Sequence, residues 1–324
     1  MPFKKLTALL LASIFCVTLI SCADTKEVEQ AAPAVLPTAS VSGLLIDVPE
    51  HDLQMILDVH YPVGDGAFPV IVFFHGALCH PPGYASIADY WAERGYVVIM
   101  PAHPQFGARG GRPDSQRALE IFLAQITEMS SIVDSLDAIA AQIEPLQNRI
   151  DATRIAASGH SMGALVSSAV TGLTRTDVDG NPANFKDDRF DVAVLLSGPG
   201  PLPNTPEGAW DSMTVPTLAT TGTRDHANRG GEGATWAWRL GTFELTPPGD
   251  KYALVVDEAD HFLGGMLCAE RSTGELDQEA FDIVASTSTN FLDAYLKQDA
   301  TAREALSNDV VSAATAGRAE LRTR

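Results

Sequence analysis

Basic residues are scarce: 22 Lys and Arg stand against 41 Asp and Glu, a formal charge of −19. So large an excess of negative charge repels phosphate backbones and anionic lipid surfaces, which argues against a nucleic-acid partner. Cysteine is equally thin, with four in 324 residues, and this excludes a disulfide-dense small scaffold. No C-x-x-C or paired Cys/His spacing is present, so no zinc site is expected. Apolar runs of spanning length and internal repeats are both missing. What remains is 45% hydrophobic and only 19% charged. That balance excludes a disordered chain and is ample for a packed core.

The N-terminus reads as an address. Lys4 and Lys5 precede an almost wholly apolar stretch over 6–20, the charged start and apolar centre of a secretory signal. A membrane span needs about 20 such residues, and this run falls short. Leu19-Ile20-Ser21-Cys22 resembles the bacterial lipobox. The resemblance implies cleavage before Cys22, acylation of its thiol, and an exported protein held on the cell-envelope membrane by that lipid. Ala23 stands where an Asp would retain such a protein at the inner membrane, so the outer membrane is expected. The organisation expected is a signal over 1–21, a flexible lipid-anchored linker over 22–41 and a single domain over 42–324. With Cys16 removed and Cys22 lipidated, Cys79 and Cys268 remain as a disulfide or as two separate buried thiols.

Strand-like and helix-like stretches alternate through the body. Residues 54–60, 70–74, 97–100, 155–158, 192–196, 217–221 and 252–256 have the short, apolar or β-branched character of buried strands. Helical patterns cover 87–94, 118–141, 162–171 and 281–296, and 301–324 reads as a loosely attached helix or tail. This alternation predicts a mostly parallel sheet covered on both faces.

The chemistry begins at Gly159-His160-Ser161-Met162-Gly163, a G-x-S-x-G between a strand and a helix. A tight strand-to-helix turn strains the serine backbone, while glycines two residues away let neighbouring chain pass close. Ser161 is therefore the candidate nucleophile, and it needs a base and an acid downstream. His261 follows the strand at 252–256, the one histidine of eight so placed. Asp225 follows the strand at 217–221, with Asp257 and Asp260 as rivals for the acid and His226 as a competitor nearby. An oxyanion hole requires two backbone N–H groups. Met162, directly after the nucleophile, supplies one, and Ala77 in the Phe74-His75-Gly76-Ala77 loop is the candidate for the other. A Cys79–Cys268 bridge would pin that loop to the histidine loop. Arg109-Gly110-Gly111-Arg112 is a basic glycine-rich loop that is either solvated or meets an acidic substrate group.

At these residues the chain resembles the α/β-hydrolase superfamily, over most of 55–265. It looks most like the dienelactone-hydrolase-related branch that includes platelet-activating-factor-acetylhydrolase-like esterases and polyester hydrolases. The segments 185–191 and 96–101 add to that likeness. The resemblance implies an α/β fold with a mostly parallel eight-stranded sheet, and hydrolysis of carboxylic esters through an acyl-enzyme without metal or organic cofactor. Dienelactone hydrolases proper use a cysteine where this chain has Ser161, and the tryptophan usual near the elbow of polyester hydrolases is absent. An amidase, a thioesterase or a polyester hydrolase would use the same residues, and a surface-binding lipoprotein without catalysis is the competing class. The insertion at 174–186 is short and polar, unlike a lipase lid, so small to medium esters are the expected substrates.

Overall fold

All seven residues of Phe68–Phe74 are buried, and their alternation organises the molecule. Val70, Val72 and Phe74 enter one apolar layer, while Ile71 and Phe73 enter another. A strand that feeds two cores must lie inside a sheet covered on both sides. In the computed structural model, which describes residues 1, 35–48, 52–102, 115–202, 205–226, 235–272 and 274–324, it does. The signal segment, Cys22 and the 109–112 loop lie outside the described residues.

The strands are β1 (Thr38–Val48), β2 (Leu53–Pro62), β3 (Phe68–Phe74), β4 (Val97–Pro101), β5 (Ile150–His160), β6 (Arg175–Thr176), β7 (Pro182–Ala183), β8 (Val192–Leu196), β9 (Thr217–Gly222), β10 (Lys251–Val256) and β11 (Ala319–Thr323). Nine of them form one sheet in the order β1-β2-β4-β3-β5-β8-β9-β10-β11. From β4 to β10 all neighbours are parallel; β1, β2 and β11 join antiparallel. Helices α1 (Ala85–Ala92) and α6 (Gln278–Leu296) cover one face through Ile87, Trp91, Phe281 and Phe291. Helices α2 (Ser115–Asp134), α3 (Leu136–Gln142) and α4 (Met162–Val170) cover the other through Phe122, Met129, Ile139 and Val166. Short α5 (Gly241–Leu245) precedes β10, while α7 (Ala300–Ala305) and α8 (Asn308–Ala314) lead into β11. This is the α/β-hydrolase architecture. Among the described residues no helix is long and apolar enough to cross a membrane.

Four features differ from expectation. Among the described residues the sheet has nine strands, not eight. The C-terminal segment, expected as a loosely attached helix or tail, holds α7 and α8 but ends in a strand that pairs with β10, Ala319 and Leu321 alternating with Glu320 and Arg322. A five-residue alternation of that kind, two of its residues charged, is too short to stand out. At the other end, β1 starts at Thr38, inside the expected linker, where serine, threonine and glycine on a half-exposed strand obscure the period. The helix expected over 118–141 is two, joined at Ser135, whose N–H is shared between the carbonyls of Ser131 and Ile132.

Registers place the loops that matter. Phe74 of β3 lies beside Gly159 of β5, and Gly222 of β9 beside Val256 of β10. The loops at 75–79, 161–162, 223–226 and 257–263 therefore leave the same edge of the sheet, at the carboxyl ends of its strands. The insertion at 174–186 is a small β6–β7 hairpin.

Candidate active site

Ser161 sits between β5 and α4 with φ 55° and ψ −112°, a strained conformation for a residue with a Cβ. Its N–H donates to Leu196 O at 2.9 Å, which ties the turn to β8. Room for this turn comes from the two glycines. A Cβ on Gly163 would stand 1.9 Å from Phe74 O, and one on Gly159 would stand 2.4 Å from the Gly163 carbonyl carbon. No side chain fits at either place.

The structure brings Ser161, His261 and Asp225 into one hydrogen-bonded series. His261 Nδ1 lies 2.9 Å from Asp225 Oδ1, and His261 Nε2 lies 3.0 Å from Ser161 Oγ. A carboxylate only accepts, so Nδ1–H is the donor. In the neutral ring Nε2 is then bare and accepts from the serine hydroxyl. That is the arrangement in which an imidazole can take the proton of an attacking serine. The rival acids are engaged elsewhere: Asp257 accepts from Thr223 Oγ1 and Asp260 from Phe262 N. His226 lines the cavity outside the series, and His75 donates from Nδ1 to Gly76 O at 2.8 Å.

Asp225 is fully buried and shares its Oδ1 with a second donor, the Arg239 guanidinium, whose Nε lies at 2.6 Å. Burial alone would raise its carboxyl, but the hydrogen bond from His261 and the charges of His261 and Arg239 outweigh burial and hold it below the ordinary range. Arg239 also donates to Ser197 O at 2.8 Å, so it joins the end of β8 to the acid loop. Sequence reasoning missed Arg239. The available signal was an arginine within the otherwise apolar Trp236–Leu240, where a charge needs a buried partner.

Around Ser161 opens a cavity of about 390 Å³, lined in part by Ala77, Met162, Leu202, Trp238, Phe262 and His261. Both oxyanion candidates face it. Met162 is the first residue of α4, where an N–H has no acceptor within the helix. Cys79 and Cys268 form a disulfide beside this cavity, and Glu270 accepts from His80 N at 3.0 Å. The oxyanion loop and the histidine loop are thus clamped together twice.

His160, inside the elbow, is buried, and burial followed by the nearby His261 pushes its pKa down to about 3. An exposed imidazole in the unfolded chain binds its proton below about pH 6.5. Between these values the unfolded state holds the extra proton, so this group makes stability fall as the pH drops, by ~1.4 kcal/mol per unit. His160→Gln is expected to flatten that slope. Urea midpoints measured from pH 6 to pH 4 for both proteins check it.

The fold is that of the α/β-hydrolases, and two comparisons show what the chain is similar to. The chlorophyllase family matches residues 40–179. Esterase YjfP of Escherichia coli (strain K12) is 29% identical over 130 residues, which is 39% of this chain and 50% of that relative. The chain thus spans about half the length of the curated relative it matches. The family match takes in Ser161 and the Ala77 loop but ends before Asp225 and His261, whose assignment rests on geometry.

Proposed function

We propose that the protein is a serine carboxylic-ester hydrolase. The observation that carries this reading is the unbroken series Ser161 Oγ, His261 Nε2 and Nδ1, Asp225 Oδ1, opening on one cavity with Ala77 and Met162. His261 takes the Ser161 proton as Oγ attacks the ester carbonyl. The N–H groups of Ala77 and Met162 receive the oxyanion, and Asp225 stabilises the imidazolium. The same proton then passes to the departing alcohol, and water, activated by His261, releases the acid. The likeness to an esterase supports ester substrates over amides. The likeness of 185–191 and 96–101 supports the dienelactone-hydrolase-related branch.

The test is hydrolysis of p-nitrophenyl acetate, butyrate and octanoate, with peptide mapping of a fluorophosphonate adduct. Turnover together with an adduct on Ser161 supports the reading; no turnover and no adduct rejects it.

The cavity walls favour small to medium acyl groups, since about 390 Å³ is at the small end for a ligand pocket and Trp238 occupies one side. Trp238 is fixed by its Nε1–H bond to Pro201 O at 3.0 Å. Trp238→Ala is expected to raise kcat/KM for octanoate relative to butyrate by about tenfold, the scale of one or two methylenes in an apolar pocket. The ratio of the two rates measures it.

Export and lipid anchoring through Cys22 belong to the same proposal. The lipobox-like Leu19-Ile20-Ser21-Cys22 supports them, and a disulfide between Cys79 and Cys268 suits an oxidising compartment outside the cytosol. Palmitate labelling that vanishes in Cys22→Ala is the expected result.

A further inference from the structure

Beneath the cavity lies a line of buried hydrogen bonds that the triad does not use. Tyr84, fully buried at the start of α1, sits with its Oη 2.9 Å from Gly76 N and 2.8 Å from His160 Nδ1. On the far side of the ring, His160 Nε2 lies 2.8 Å from the carbonyl oxygen of His261.

The direction of every bond follows from chemistry. The His261 carbonyl can only accept, so His160 Nε2 carries the hydrogen. A neutral imidazole then has a bare Nδ1, which must accept, so the Tyr84 hydroxyl donates to it. The hydroxyl oxygen is left to accept from Gly76 N–H. One tautomer of His160 and one rotor of Tyr84 satisfy all three contacts.

This line ends where the oxyanion donor is aimed. The peptide joining Gly76 to Ala77 has its carbonyl held by Cys79 N–H at 3.1 Å and His75 Nδ1–H at 2.8 Å. In a trans peptide the N–H points opposite to the C=O, so fixing that oxygen aims the Ala77 N–H. Gly76 N–H, tied to Tyr84, fixes the preceding peptide. We infer that Tyr84 and His160 are positioning residues, a hydrogen-bonded brace that sets the Ala77 oxyanion donor against the backbone of the general base His261. The inference rests on the serine-esterase reading and adds two residues to it. Neither touches the reacting atoms; each acts through the peptide it holds.

The test uses the full protein. Tyr84→Phe keeps the ring and removes only the hydroxyl. It is expected to lower kcat on p-nitrophenyl butyrate at least tenfold with KM within twofold, and to slow fluorophosphonate modification of Ser161 in parallel. His160→Gln can accept at its amide oxygen and donate at its nitrogen, whereas His160→Leu can do neither. Glutamine is expected to retain at least ten times the kcat of leucine. Nitrogen-15 NMR of histidine-labelled enzyme should find His160 as the Nε2–H tautomer from pH 5 to pH 8. Wild-type kcat in Tyr84→Phe, equal kcat in the two His160 variants, or an Nδ1–H His160 would overturn the brace. If the wild type hydrolyses no ester, the esterase reading fails instead, and the NMR tautomer still decides whether the brace exists.

Discussion

Replacing Ser161 by alanine is expected to cut kcat for p-nitrophenyl butyrate by ~10⁶ with little change in KM, because the attacking oxygen is gone while the cavity is unaltered. Stability should hardly move, since alanine keeps the Cβ that the elbow already accommodates at φ 55°. Asp225→Asn provides the contrast. An amide in place of the carboxylate favours the wrong imidazole tautomer, with Nε2–H aimed at Ser161, and kcat falls by ~10⁴. The same change leaves Arg239 buried without its counter-charge, a loss of about 3 kcal/mol of stability. Steady-state kinetics beside urea unfolding separates the two: one variant loses activity alone, the other loses both. Equal stability losses in the two variants would contradict the buried Asp225–Arg239 pair.

Breaking the disulfide has the largest expected effect on stability. Cys79 and Cys268 are 189 residues apart, and closing so long a loop removes unfolded-chain entropy worth about 5 kcal/mol. The Cys79→Ala/Cys268→Ala double variant should therefore unfold at markedly lower guanidinium. Its activity should fall as well, because one cysteine lies two residues beyond Ala77 and the other seven beyond His261. The Glu270 contact to His80 N remains as a single hydrogen bond, too weak to hold the two loops in register alone. A stability change under ~1 kcal/mol would mean that packing, not the covalent link, joins the loops.

The parts of this site that were legible in the sequence are those set by short-range sterics. Gly159, Ser161 and Gly163 lie within five residues, and the two glycines follow from the contacts a Cβ would make with Phe74 and Gly163 itself. Asp225 and His261 were legible because each comes just after a buried strand, where a parallel sheet gathers its loops. Arg239 and Tyr84 were not. Arg239 meets an acid 14 residues earlier and Tyr84 a histidine 76 residues later, and no periodicity links such pairs. The central strands were legible from apolar runs buried on both faces. The edge strands β1 and β11 carry polar and charged residues on their open side, which is what an edge requires and what hides it from a search for apolar runs.

The last strand has a protective role that follows from its place. All six residues of β10 are buried, and Tyr252–Val256 is an uncharged apolar run with high strand propensity. With β11 paired along it, every open backbone group on that side is covered, down to Arg324 N donating to Lys251 O. Stripped of residues 319–323, β10 would become a bare sheet edge, ready to template a strand from a second molecule. The short segment that reads as a loosely attached helix or tail is thus the cover of that edge.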